Sequence, residues 1–381
     1  MNQGNSGDDG AARGGRPLRT WIVVALLSLA GAAASLAGFV FVNRWSTERA
    51  EAAFRLAAQE RIAAVRREIG VHFEALYALG SLFDSSSKVD QDEFRTFATA
   101  TLGRNPGLSG LGYVRRVPAS QREQAERELG RPLLEQTADG DFRTAGERDV
   151  YYPFWFIHAA DGLASPAGID VAAEPHRAAA LERAIRTGRI ELTGPLRIMV
   201  FPEFRSGIVA VLPLYKRLPD GSRGEVYGAV TAALAAHEVI HAALESLHGG
   251  GVELHVHDAD PHDGRISPLY IHGVGAPPPP LSPSSGDADP DPIPAGRHVM
   301  RVTQDVGGRT WIITAVPDHP LDAHSWEAWG VLGAGLLLTA LAAMNVATTI
   351  SRRDAERLVR ERTAALADQG QRHERAQARL A

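Results

Sequence analysis

The run HEVIH, residues 237–241, holds His237 and His241 four apart around Glu238. On a helix that spacing puts both imidazoles on one face. With a third ligand and an open water position they would bind zinc, and Glu238 would act as the base of a metalloprotease. The third ligand is what the sequence fails to supply. His248 comes seven residues after His241, which is not the extended zincin spacing, and Glu245 and Glu253 belong to no obvious second helix. Val239, Ile240, Ala243 and Leu247 explain the same segment as an amphipathic helix. His237, His241 and His248 share one flank, and His255 and His257 share one face of the next strand. Such a set offers metal binding or a charge change between about pH 5 and 8, against the plainer reading of polar surface. HDADPHDG, residues 257–264, has the composition of a calcium loop without its ligand spacing or terminal Glu, and reads as a turn.

With no cysteine in the chain, disulfides, thiolate zinc sites and cysteine nucleophiles are excluded. GxSxG, P-loop and dinucleotide fingerprints are also missing in the strand–helix context they need. No cofactor is implied and no catalytic residue is assigned. A different kind of candidate is the single hydroxyl of GRIELTGPLRI, Thr193, which precedes a Gly-Pro break. Tyr151, Tyr152, Phe154, Trp155 and Phe156 crowd one strand, where alternate side chains face opposite sides. One set can fill a core and the other can wall a pocket for a small molecule.

Two apolar runs frame these segments. Trp21–Val42 has 22 residues without a charge and Gly330–Ile350 has 21, each long enough to span a bilayer as a helix. Small residues at Ala32 to Ser35 would suit a cleavable signal, but the length of the run and the helix after it favour an uncleaved anchor. Arg13, Arg16 and Arg19 precede the first run, and Arg352, Arg353, Arg357 and Arg360 follow the second. Positive-inside reasoning then puts both termini in the cytoplasm and the intervening region outside it. The formal net charge of -5 and the lack of a basic stripe give no reason to expect a nucleic-acid partner.

The expected organisation is a cytoplasmic tail over 1–20, a first transmembrane helix over 21–42 and a stalk helix over 43–88. Phe54, Ala58, Ile62, Val65, Ile69, Phe73, Leu76, Leu79 and Phe83 recur at helical spacing along that stalk. Residues 89–234 read as a membrane-distal α+β module with strands at LSGLGYVRRVP, VYYPFWFIHAA, GRIELTGPLRI, GIVAVLPLYKR and GEVYGAVTAAL, and helices at 119–130 and 174–187. Residues 235–328 form a smaller module with a hairpin at Gly307-Gly308 and a Pro-rich insertion over 275–296. A second span over 329–350 and a cytoplasmic helical linker over 351–381 follow.

In this order, after a span and a long helix, LSGLGYVRRVP, YYPFWFIHAADG, GIDVAAEPHRAAALERAIRTGRIELTGPLRI, GIVAVLPLYKR and GEVYGAV resemble a CHASE domain. That is the extracytoplasmic sensor of plant cytokinin-receptor kinases and many bacterial signalling proteins, and the similarity covers about residues 70–245. The resemblance implies a stalk helix with two PAS-like modules, the distal one binding a small ligand. It also implies ligand contacts from Thr193, in the LT-x-P motif, and from Asp161 after the aromatic strand. Leu196 stands where those relatives carry an aromatic, so an adenine-like ligand is not implied for this chain. Leu196, Phe154, Phe156 and Tyr113 complete the candidate contact set.

The function expected is therefore a multi-pass sensory receptor of a bacterial inner membrane, with a periplasmic sensor and both termini cytoplasmic. It is expected to be homodimeric and to feed a cytoplasmic output domain, usually a histidine kinase or a diguanylate cyclase. That output is not among these residues. A kinase-less receptor acting through a partner is the alternative, and a periplasmic HExxH metalloprotease the distant one.

Overall fold

No proline falls between Pro17 and Pro106, and the chain from Arg16 to Ser85 is one uninterrupted helix, α1. It starts inside the segment read as a tail, with Pro17 in its first turn, where a missing N–H leaves no bond unmade. The computed structural model describes residues 16–137, 141–160, 167–200, 203–245, 247, 251–261, 264–271, 298–321 and 325–377. Asp161, His248 and the Pro-rich insertion over 275–296 lie outside the described residues. The chain divides into two compact units, Ala52–Pro320 and Met1–Glu51 with Leu321–Ala381.

In the larger unit, α2 (Gln91–Leu102) follows α1 and is closed by a reciprocal cap. Asp90 Oδ1 accepts from the N–H groups of Asp92 and Glu93, both at 2.9 Å, and Glu93 Oε2 accepts from Asp90 N–H at 3.1 Å. Then come β1 (Leu108–Arg115), β2 (Val117–Pro118), α3 (Arg122–Leu129), β3 (Leu134–Gln136), β4 (Phe142–Thr144), β5 (Val150–Tyr151) and β6 (Phe154–Ala159). The aromatic run expected as one strand is two, because Pro153 has no N–H to donate to a ladder. A 3-10 turn over Val171–Ala173 leads to α4 (Pro175–Thr187), which Glu174 caps through Oε1 to His176 N–H and Oε2 to Arg177 N–H. GRIELTGPLRI also divides, into β7 (Glu191–Leu192) and β8 (Leu196–Val200), since Gly194-Pro195 cannot continue a strand. Both pair with β9 (Glu203–Arg217), which turns into β10 (Arg223–Leu234).

The resulting six-stranded antiparallel sheet has the order β6-β1-β10-β9-β7, with β8 on β9. α1 and α2 cover one face and α4 the other. Phe54, Ala58, Ile62, Val65, Ile69, Leu76 and Leu79 of α1 are buried, so its apolar stripe is a core face. After α5 (Ala236–Glu245) come β11 (Val252–Ala259), β12 (Ile266–Ile271), β13 (Met300–Val306) and β14 (Arg309–Pro317). They form a second antiparallel sheet in the order β12-β11-β14-β13. The β13–β14 hairpin turns at Gly307 and Gly308, both with positive φ (55° and 71°), the backbone a tight two-residue turn demands.

The smaller unit holds the apolar end of α1 and α6 (Trp326–Gln377), which among the described residues are the two helices long and apolar enough to cross a membrane. They pack antiparallel through small residues. Phe39 lies 5.1 Å from Trp329, and a side chain added at Gly38 would meet Val331 at 3.2 Å. Ser35 faces Gly335 and Gly31 faces Thr339, so backbones approach closely along the seam.

A charged cluster holds β3 and β4 against the entry to α4. Glu135 accepts from Arg143 (2.7 Å), Gly146 N–H (3.2 Å) and Arg148 (3.0 Å), and Arg148 also reaches Asp170 at 3.4 Å. The hydrogen bond from Arg143 holds the Glu135 carboxyl below its ordinary range despite burial. Its folded value is thus depressed, so its contribution is present above the unfolded carboxylate value and is lost as pH falls through the folded one. We expect Glu135→Gln to lower stability by about 1.5–3 kcal/mol at neutral pH. Thermal unfolding of both proteins across pH should show that gap closing in acid. A gap independent of pH would remove the charge from the explanation.

Candidate functional site

The distal sheet has two dissimilar faces, and the candidate contacts are divided between them. On the α1–α2 face, Tyr113 stacks on Phe83 at 4.3 Å, and Phe156 lies 5.9 Å from Tyr113 and 5.5 Å from Phe94. Beside them, between the turn after α1 and the strands, is a cleft of about 550 Å³. Phe83, Tyr113, Trp155, Phe156, Tyr215 and Tyr227 line it, with Arg115 4.5 Å above the Trp155 ring. Burial pushes the Tyr113 hydroxyl up to about 12, so it stays protonated at any ordinary pH.

The α4 face carries the other candidates. Val114, Val171, Ala180, Leu181, Ala184, Ile198, Val209, Val211 and Ala229 form an apolar cluster there, with Tyr152, Phe154 and Leu196 packed on it. Phe154 and Phe156 are two residues apart and simple alternation would give them one face. The register shifts between Tyr113, opposite Phe156, and Val114, opposite Phe154, so one extra residue of β6 sends the two rings to opposite sides. Phe154 then lies over Gly112, where a side chain would meet its ring at 2.6 Å and Thr231 Oγ1 at 2.7 Å.

Thr193 belongs to the α4 face with its partner Val209. It is fully buried, its N–H donates to Val209 O at 2.9 Å, and its Oγ1 accepts from Val209 N–H at 2.9 Å. The hydroxyl therefore closes a backbone ladder that the Gly-Pro break would otherwise leave open, and still has a hydrogen to donate. Thr193, Leu196 and Phe154 are thus brought to one face, Tyr113 and Phe156 to the other, and Asp161 is outside the described residues.

The segment beside Thr193 joins the two sheets. Leu192 N–H donates to Gly307 O at 2.7 Å, and Leu192 O accepts from Arg183 Nη2 at 2.6 Å. Arg183 also reaches Glu191 at 3.3 Å, tying α4 to β7. Across the junction, Arg309 is bound by both oxygens of Asp258 and by Asp260 at 2.9 Å. A side chain at Gly194 would meet Arg309 Nη2 at 3.3 Å and His176 Nδ1 at 3.6 Å. The first turn of α4, the Thr193–Gly194 turn and the β13–β14 hairpin therefore meet.

Residue types alone had not singled out Arg177, Arg183 or Arg309. For Arg177 a signal existed. It stands at i, with Ala180, Leu181 and Ala184 at i+3, i+4 and i+7, which places a cation on the apolar face of α4. Arg183 bonds Glu191 and Leu192, eight and nine residues on, across the turn after α4, whereas Arg309 meets Asp258 and Asp260, 51 and 49 residues away, and nothing local marks it.

In HEVIH, the His237 and His241 rings stack 6.0 Å apart, and His237 also lies 5.0 Å from Tyr270. Val239 and Ile240 are buried in the core. Among the described residues, no three His, Cys, Asp or Glu side chains gather in a way that could hold a metal.

A two-faced antiparallel sheet, packed on a long helix and joined to a second sheet, defines an α+β domain. Residues 87–267 match the family model of the CHASE domain. Among curated proteins, the chain is 27% identical over 248 residues to probable histidine kinase 4 of Oryza sativa subsp. japonica. It is 28% identical over 261 residues to probable histidine kinase 3 of the same subspecies. Each match covers 62% of this chain and 24% of the relative, so the chain spans about a quarter of their length.

Solved structures with a related outline include an extracellular ligand binding receptor from Desulfohalobium retbaense. It is 13% identical, with a TM-score of 0.42, over 69% of this chain and 39% of that one. Another is the ligand-binding domain of the Pseudomonas aeruginosa amino acid chemoreceptor PctC in complex with GABA. It is 16% identical, with a TM-score of 0.38, over 69% of this chain and 94% of that one.

Removing the Thr193 acceptor leaves a buried N–H of Val209 unpaired. We expect Thr193→Val to lower stability by about 1–3 kcal/mol and Thr193→Ser to lower it less, as read by thermal unfolding. A Thr193→Val protein as stable as the wild type, with Thr193→Ser the less stable of the two, would show that the methyl, not the hydroxyl, is what matters. Arg309→Met leaves Asp258 buried without its cation and should be the more damaging change, by about 3–5 kcal/mol. An Arg309→Met protein as stable as the wild type would show that the pair adds nothing to the junction.

Proposed function

We propose that the chain is the sensory part of a membrane receptor. It binds a small molecule outside the cytoplasm on the α4 face of the distal sheet and passes the event across the membrane. The reading rests on the CHASE match over residues 87–267, flanked by two helices long and apolar enough to span a bilayer. Both termini lie in the cytoplasm of a bacterial inner membrane, in keeping with the arginines outside each span. The stalk is residues 43–88, and residues 89–234 and 235–328 are PAS-like modules. Two copies associate through stalk and linker, and the output domain is a histidine kinase, the activity in the names of the rice relatives.

The relay runs through the junction. A ligand that binds one state of the distal module more tightly shifts the equilibrium toward that state. Thr193 meets such a ligand through its remaining hydroxyl hydrogen, with Leu196 and Phe154 supplying apolar wall and Asp161 a further polar contact. Any displacement of the Thr193–Gly194 turn pulls on Leu192, and through its bond to Gly307 on the β13–β14 hairpin. β14 ends at Pro317 and α6 begins at Trp326, so the moved strand is close in sequence to the second span.

The test uses the full chain in lipid nanodiscs and a broad metabolite panel, read by thermal shift and then by calorimetry. At least one compound should raise the unfolding midpoint, Thr193→Val should lose at least about tenfold in affinity, a difference of about 1.4 kcal/mol, and Thr193→Ser should retain most of it. A panel without a single binder would sink the receptor reading. Undiminished binding by Thr193→Val would remove Thr193 from the site.

A further inference from the structure

Among the described arginines where α4 meets β7 and the hairpin, Arg177 is the one that donates no hydrogen bond from its side chain. Its side chain is 18% exposed, and its nearest carboxylate, Glu174, stays 4.0 Å from Nε. Both Glu174 oxygens already accept backbone N–H groups, from His176 at 3.0 Å and Arg177 at 2.8 Å, as the cap of the helix. Among the described residues the guanidinium donates no hydrogen bond, although it carries five N–H donors. Burial pushes it below its ordinary range, with only Glu174 acting against this. The other two arginines of this region are committed, Arg183 to Glu191 and Leu192 O, and Arg309 to Asp258 and Asp260.

Its direction is set by the helix. Ala180, Leu181 and Ala184, one and two turns on, are buried in the apolar cluster of the α4 face, and Arg177 shares their side of the helix. His176, its neighbour, lies against Gly194, so this first turn adjoins the Thr193–Gly194 turn. A mostly buried guanidinium that donates no hydrogen bond, beside an apolar wall, is well placed to receive something planar and anionic.

Building on the receptor reading above, we infer that Arg177 anchors the ligand and that the ligand is a small carboxylate, held in bidentate fashion with its apolar part against the cluster bearing Phe154 and Leu196. A carboxylate suits the site better than a phosphate. Among the described residues one cation without a hydrogen bond faces it, and a second negative charge would sit unbalanced near Glu174. The anchor is a binding group and takes part in no reaction.

The experiment uses the full chain in nanodiscs and four acids, acetate, isovalerate, benzoate and 3-phenylpropionate, each paired with its amide, together with phenyl phosphate. We expect one or more acids to raise the unfolding midpoint while the matching amides do not. Arg177→Met should lose at least about tenfold of that affinity, and Arg177→Lys, which keeps the charge but not the fork, should lose less. Without ligand, Arg177→Met should unfold no earlier than the wild type, because it removes a mostly buried charge whose ion-pair contact, Glu174, is 4.0 Å away.

Four results would overturn the inference. Acids and amides could bind alike with Arg177→Met unaffected, and phenyl phosphate could bind more tightly than benzoate. The ligand-free Arg177→Met protein could unfold well below the wild type, which would make the arginine structural. Binders in the metabolite panel could all be uncharged. Each of these leaves the receptor reading standing, whereas failure of every compound in both panels removes the two together.

Discussion

Leu192 and Thr193 are consecutive residues of a short edge segment, so they face opposite sides of the sheet. That alternation is the constraint on which the rest of the molecule turns. Thr193 closes the ladder to Val209 on the α4 face, while Leu192 is buried toward the stalk and binds the hairpin of the second sheet through its N–H. One peptide unit therefore belongs to the proposed binding wall and to the joint between modules. Gly307 fits against Leu192 because it has no side chain. A Cβ there would come within 2.8 Å of Leu192 Cγ, and the turn needs positive φ in any case.

Around this point the chain concentrates its buried charge. Arg309 with Asp258 and Asp260, and Arg183 with Glu191, lie at the meeting of α4, β7 and the hairpin. Buried ion pairs add little net stability compared with a good apolar contact, because desolvation offsets most of their attraction. Their directional bonds do set register. An apolar joint could slide, whereas a guanidinium held by two carboxylates has one seating. This contrasts with the apolar packing of α1 against the sheets.

Much of the fold was legible because it depends on local pattern. The apolar stripe from Phe54 to Leu79 marked the stalk, Asp90 marked the start of α2, and Gly307-Gly308 marked the hairpin. The missed details came from prolines and bulges. Pro153 and Gly194-Pro195 each divided a run of strand-forming residues, and the extra residue in β6 reversed the face of Phe154 relative to Phe156. Such a bulge has no reliable signature in one strand, because it is set by how two strands settle against each other.

The site was legible to a different extent. Thr193 stood out as the hydroxyl of a motif, and residue types alone were enough to show that HEVIH lacked a third zinc ligand at zincin spacing. The sequence by itself determined the order of elements, the two apolar helices and the polar span between them, since each follows from composition and period within one segment. Only the tertiary structure decided which aromatics share a face with Thr193, that Leu192 is bonded to a hairpin more than a hundred residues away, and that Arg177 faces an apolar cluster with its donors unused. Those outcomes depend on contacts between segments distant in sequence, and no local preference of either segment encodes the partner it will meet.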